Sequence, residues 1–230
     1  MQHRLSESLI RKSQIVNPKS IRNLVFDFGG VICNIDVKLT EKAFMDLAGL
    51  QDMQSFRRAD TGSSISDSSG IFGQIETGAI TPQHFRDELR RFFRKPVTDE
   101  QLDDAWNAML LDIPEPRIRL LESLRNDYRI FLLSNSNEIH YMKFLERFRK
   151  QSGYADFDAL FEKAYFSFLI GLRKPSPEIF SHVLNESMLE PSETLFIDDT
   201  LMHVEGAVKA GIHACHLALD EGEEITRLFQ

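Results

Sequence analysis

Asp27, Ser134, Lys174, Asp198 and Asp199 all lie at or near the ends of short apolar runs in this chain. Their side chains are the parts that phosphoryl transfer needs. Carboxylates from separate segments attract a hard, oxygen-ligated cation such as Mg2+. A hydroxyl and a lysine hold an anion against that cation, and one carboxylate can act as the nucleophile. Each part alone has an ordinary structural role. An aspartate at a strand end commonly caps the next helix or turn, and Ser134-Asn135 suits a plain turn. Lys174 ahead of Pro175 suits a solvated surface, and Asp198-Asp199 suits the start of any helix. Their joint order, each beside an apolar run, is what points to chemistry.

Such residues meet only if the elements carrying them are arranged to let them. Five apolar runs predict strands: Asn23–Phe26, Arg129–Leu133, Ala164–Phe168, Thr194–Ile197 and His213–Leu217. Helical patterns separate most of them. Ile118, Leu121 and Leu124 follow Pro114 and Pro116, and Ile179, Phe180, Val183 and Leu184 follow Pro175 and Pro177. Val204 and Val208 mark another helix, closed by Gly211. Alternating strands and helices predict an α/β fold, a doubly wound parallel sheet with helices on both faces. Ligands bind such sheets beyond the carboxyl ends of the strands, where all five chemical residues fall.

One interval breaks the alternation. From about Asp36 to Asp112 no strand pattern occurs, and Phe44, Phe56, Phe72, Phe85, Leu89, Leu102 and Trp106 fall largely at helical spacing. Thr81-Pro82 and Thr98-Asp99-Glu100 read as helix starts with threonine caps. The interval is too long for a loop and predicts a helical insert. The expected division is a tail over 1–20, an α/β core over 21–35 and 113–230, and the insert over 36–112. Thr61–Gly70, rich in Ser and Gly, reads as a loop.

The chain has 230 residues and a formal net charge of −8, which argues against nucleic acid or an anionic membrane as partner. The two cysteines, Cys33 and Cys215, lie in apolar stretches and read as reduced, buried thiols of a cytoplasmic protein. No apolar run reaches the ~20 residues of a membrane span. The first twenty residues lack the apolar segment of a secretory signal and read as a short helix or frayed tail. Cys33 is read as packing, and His84, His140 and His182 as surface or packing histidines. Glu76, Thr77 and Gly78 either face the site from the insert or form an exposed turn. The aromatic side chains of the insert read mostly as core; one facing the catalytic edge could line a substrate pocket, and the sequence does not say which.

The ordered segments LVFDFGGVI, LLSNS, RKPSPEIF and FIDDTLMHVEGA resemble the four motifs of the haloacid dehalogenase superfamily of hydrolases. The resemblance covers Ile21 to Leu219 and implies a Rossmann-like core with a helical C1-type cap in the position of the insert. The D-F-G-G-V form is similar to a phosphatase subgroup that includes α-glucose-1-phosphate phosphatases. By this resemblance Asp27 is the nucleophile, and Asp27, the Gly29 carbonyl and Asp199 bind Mg2+, with Asp198 as a further ligand. The Ser134 hydroxyl, the Asn135 amide and Lys174 hold the phosphoryl group of a small phosphorylated metabolite, such as a sugar phosphate. Two positions depart from the family pattern. Gly29 stands where a second aspartate usually serves as general acid and base, a role typically worth ~10²–10⁴-fold. His203 stands where Asp or Asn is usual and is read as tuning metal affinity or pH dependence. The alternatives to a phosphatase are a weakly catalytic phospho-ligand binder and a metal-independent, halide-displacing hydrolase.

Overall fold

A computed structural model describes residues 20–49 and 70–229. The expected N-terminal tail or helix, Phe56 and the serine-rich loop up to residue 69 lie outside the described residues. Five strands, β1 (Asn23–Phe26), β2 (Arg129–Ser134), β3 (Lys163–Phe166), β4 (Thr194–Asp198) and β5 (His213–His216), form one sheet in the order β3-β2-β1-β4-β5. Every neighbouring pair is parallel.

The apolar runs serve both faces of this sheet by simple alternation. Leu24 and Phe26 join Ile130, Leu132, Leu195 and Ile197 in one core layer. Val25 joins Phe131, Leu133, Phe196 and Ala214 in the other. The Asp36–Asp112 interval contributes four helices among the described residues: α1 (Val37–Ala48), α2 (Ile71–Glu76), α3 (Pro82–Arg90) and α4 (Asp99–Asn107). The first core layer is covered by α5 (Glu115–Leu124) and α6 (Glu138–Ser152). The second is covered by α8 (Pro177–Ser187) and α9 (Leu201–Lys209), which come after the short α7 (Ser167–Ile170).

β3 ends two residues before the sequence pattern suggests. The Ser167 hydroxyl accepts from Ser136 N–H at 2.9 Å and donates to Ser136 C=O at 3.0 Å. Ser167 thereby opens α7 and ties down the loop after β2.

Phe44, Phe72, Ile75, Phe85, Leu89, Leu102 and Trp106 of the insert pack together, joined by Ile139 of α6. The helices α3 and α4 start where the sequence predicts. Thr81 accepts from His84 N–H, and Thr98 forms a reciprocal capping box with Gln101. The chain enters and leaves the insert side by side. Asn34 N–H donates to Asp112 C=O, Leu111 N–H to Asn34 C=O, and Asp36 N–H to Met109 C=O, all at 2.8–2.9 Å.

Candidate active site

The carboxyl ends of β1, β2 and β4 converge at the middle of the sheet. Asp27, just beyond β1, continues the ladder by donating its N–H to Ile197 C=O at 2.9 Å. The chain then turns sharply, with Ile32 and Cys33 N–H both donating to Phe28 C=O at 2.8 Å. Gly30 sits in this turn at φ +79°, and a Cβ there would stand 2.3 Å from Asp199 Oδ2. Only glycine provides both the left-handed backbone and the room for that carboxylate.

Lys174 is fully buried, and its ammonium uses all three protons. It donates to Asp27 Oδ1 at 2.6 Å, Asp198 Oδ2 at 2.7 Å and Leu133 C=O at 2.9 Å. Asn135 sets its position. The Asn135 side chain donates to Lys174 C=O at 3.0 Å and accepts from Lys174 N–H at 2.9 Å. The side-chain amide of Asn135 is therefore committed to the lysine backbone, which leaves the main-chain amide for an anion. Ser134 is buried, and among the described residues its hydroxyl makes a 3.5 Å contact to Asn135 C=O.

Asp27, Asp198 and Asp199 offer oxygens that all lie within 4.8 Å of one another. One lysine cannot neutralise three carboxylates, and the ionisation of the group shows it. Burial pushes Asp27 up to about 7, with Lys174 opposing and Asp198 and Asp199 adding to the rise. Burial and then Asp198 push Asp199 up to about 6. Burial opposes ionisation of Asp198 too, but Lys174 and His203 overcome it and hold Asp198 at about 2. Lys174 lies above its ordinary value: burial disfavours its charge, and Asp198 and Asp27 outweigh burial. An all-oxygen cluster with surplus negative charge suits a hard divalent cation, and Mg2+ fits these donors.

Asp198 and Asp199 are also held in place by neighbours. Asp198 Oδ1 accepts from Thr200 N–H at 2.8 Å, so it does cap the turn into α9 as well. His203 Nδ1 lies 3.1 Å from both oxygens of Asp198. His216 Nε2 lies 2.9 Å from Asp199 C=O, a support that no motif in the sequence marks, although His216 ends β5.

A cavity of about 120 Å³ opens beside Gly29, Ser134 and Asn135, roofed by the insert through Glu76 and Trp106. Of the three residues Glu76, Thr77 and Gly78, only Glu76 lines it. The Thr77 hydroxyl donates back to Gly73 C=O at 3.0 Å, and Gly78 lies so close to Phe168 that a Cβ would stand 2.3 Å from its carbonyl oxygen. Trp106 and Phe144 are the aromatic side chains at the pocket. His140 also lines it, but its Nε2 engages Trp106 C=O at 3.1 Å and burial drives the ring down to about 4, so it is neutral. Cys33 is buried and pushed up to about 12 by burial, an inert thiol.

The chain belongs to the haloacid dehalogenase-like hydrolases, whose family model matches residues 21–211. It is 34% identical over 184 residues to the D-ribitol-5-phosphate phosphatase of Bacteroides thetaiotaomicron, covering 78% of this chain and 83% of that one. A haloacid dehalogenase family enzyme of the same organism, solved with magnesium and inorganic phosphate, superposes with a TM-score of 0.78. That match has 35% identity and covers 91% of this chain and 100% of the other. The L-2-haloacid dehalogenase of Xanthobacter autotrophicus shares the fold alone, with 18% identity and a TM-score of 0.55 over 86% of this chain and 78% of that one.

Proposed function

We propose that this enzyme is a Mg2+-dependent phosphatase that hydrolyses a small phosphorylated metabolite, of the sugar or polyol phosphate class, through a phosphoryl group carried on Asp27. The observation that carries the reading is Lys174, buried and shared between Asp27 and Asp198, with Asp199 completing an acidic cluster at the same edge. The similarity to a ribitol phosphate phosphatase and to an enzyme solved with magnesium and phosphate supports the same reading.

Asp27 attacks phosphorus in line, forming its bond to the phosphoryl group as the bond to the leaving oxygen breaks. Water then releases phosphate and restores the carboxylate. Asp27, Asp199, the Gly29 carbonyl and Asp198 are the residues that would hold Mg2+. Bound there, the ion offsets the negative charge of carboxylates and phosphoryl oxygens. Lys174 fixes Asp27 and meets charge that develops on the phosphoryl oxygens, while the Ser134 hydroxyl and the Asn135 main-chain amide orient the group. Gly29 offers no side chain to protonate the leaving oxygen, which takes its proton from water or substrate. A halide-displacing reaction has no use for the surplus of acids. The helical insert serves as the cap over the site, built on the stem at residues 34–36 and 109–112. A net charge of −8 disfavours nucleic acid and anionic membrane as partners. Among the described residues no helix is long and apolar enough to cross a membrane. Cys33 and Cys215 are buried and not joined in a disulfide, which favours the reducing cytoplasm.

The test is to trap the acyl phosphate. Rapid quench of the native enzyme with labelled substrate and Mg2+ should leave label on Asp27, and Asp27→Asn should neither take up label nor turn over. Retained turnover in Asp27→Asn, with deamidation excluded by mass, removes the covalent mechanism.

A further inference from the structure

β4 ends at Asp198, so Asp199 stands one residue beyond the sheet. Asp198 is still tied into the ladder. It pairs with His216 across β4 and β5, and its C=O accepts from Leu217 N–H at 2.9 Å. The Asp199 C=O is met instead by a side chain, His216, whose Nε2 lies 2.9 Å away. A carbonyl oxygen only accepts, so Nε2 carries the proton and donates it. The N–H of the same peptide group, on Thr200, donates to Asp198 Oδ1 at 2.8 Å. Both polar atoms of the Asp199–Thr200 peptide are therefore held by side chains. A peptide group is planar, so holding its N–H and its C=O fixes its plane and restrains the chain at Asp199.

The carboxylate itself has little freedom. Asp199 Oδ2 lies 2.3 Å from the place that a Cβ on Gly30 would take, and the acid shares a cluster with Asp27 and Asp198 whose oxygens lie within 4.8 Å of one another. Mg2+ demands near-ideal geometry at about 2.0–2.1 Å from each oxygen, so a small shift of one ligand is costly. Two histidines support the two adjacent acids in different ways. His203 Nδ1 meets the Asp198 carboxylate, where its effect includes charge. His216 meets a main-chain carbonyl, where its effect is position.

We propose that His216 is a positioning residue of this phosphatase, setting the Asp199 carboxylate for Mg2+ by anchoring the Asp199 main-chain carbonyl. This deepens the phosphatase reading above and rests on it. Groups that orient a metal ligand typically contribute ~10–100-fold to metal affinity, and one bond to the main chain belongs at the lower end.

β5 carries its own control. His213, at the opposite end of the strand, lies with Nε2 3.2 Å from Ser192 C=O. Both histidines are half-buried and both engage a main-chain carbonyl, but only His216 does so at the edge that holds the acids.

Calorimetric titration of Mg2+ into the metal-free full chain is the test. His216→Phe keeps a ring and loses the donor, and should weaken Mg2+ binding about tenfold. His216→Gln, which still carries an N–H donor, should recover most of that loss. His213→Phe should stay within about twofold of native, since it disturbs the strand away from the site. Turnover should follow the same order at limiting Mg2+ and converge as Mg2+ is raised to saturation. Should His216→Phe fail to fold, His216→Ala set against His216→Gln decides. Unchanged Mg2+ affinity in the donor-less variant, or an equal loss in His213→Phe, overturns the proposal and leaves the phosphatase reading standing. Absence of Mg2+ binding to the native protein overturns both.

Discussion

Among the recesses along the helical insert, two differ sharply in the features that matter for chemistry. The outer groove, of about 970 Å³, lies where α3 and α4 meet α6 and is bordered by Arg86, Asp103, Glu138, Lys143, Glu146 and Arg149. The inner cavity, of about 120 Å³, lies over the sheet edge. The groove is large, but part of its charge is paired locally and none of it is buried among like charges. Arg86 makes a two-pronged pair with Asp103 at 2.8 Å, and Lys143 meets Glu146 at 3.3 Å. At the sheet edge three carboxylates crowd one lysine, and two of them are held far from their ordinary ionisation. Volume reflects how helices happen to splay. Like charges kept together in a buried place cost free energy, and such sites persist where they do work.

The comparison breaks if residues of the groove matter as much as those of the edge. The largest effect is expected at Asp27, where Asn should lower kcat at least about 1,000-fold on steady-state assay while far-ultraviolet circular dichroism stays native. Next is Asp199→Ala. It should weaken Mg2+ binding about 100-fold or more in calorimetric titration, and unchanged metal affinity would place the ion elsewhere.

A smaller effect distinguishes the edge by its pH dependence. Asp27 at about 7 and Asp199 at about 6 keep protons in the folded, metal-free protein that the unfolded chain has already released. The folded state thus binds more protons between about pH 4 and 7, so metal-free stability falls as pH rises through that window. Two groups act oppositely: Asp198, at about 2, whose contribution is lost only in stronger acid, and His140, at about 4, which offsets part of the fall below about pH 6.5. Mg2+ needs the deprotonated carboxylates and should stabilise more at about pH 7.5 than at about pH 5.5. Thermal unfolding with chelator and with Mg2+ at both pH values checks this. A metal-free midpoint that rises from about pH 5.5 to 7.5 would contradict the charge surplus. The smallest effect is expected in the groove. Arg86→Ala should cost about 1 kcal/mol in denaturant unfolding and leave kcat/KM within about twofold. A tenfold loss of activity there would make the two recesses one functional unit.

Much of the scaffold is legible in the sequence because hydrophobic pattern and strand geometry are local. Asn23–Phe26 is a strand to the residue, since four buried positions in a row suit a parallel strand covered on both faces. The threonine caps of α3 and α4 are local chemistry too. β3 is shorter than its apolar pattern because a hydroxyl bonded to Ser136, far away in sequence, starts a helix at Ser167 instead. The Asn135–Lys174 clamp, the His216 support and the Glu76–Arg173 pair likewise join residues that no sequence spacing links.

Local pattern along the chain is enough to place these side chains at strand ends, because alternation of strand and helix sets that edge, and the resemblance of four ordered motifs attaches roles to them. How those side chains share charge is set only by the folded arrangement. Whether Asp27 is held at about 7 and Asp198 at about 2 depends on burial and on a few ångströms of separation from Lys174. Coulomb energies change several-fold with local dielectric and distance, and neither exists until the chain has folded.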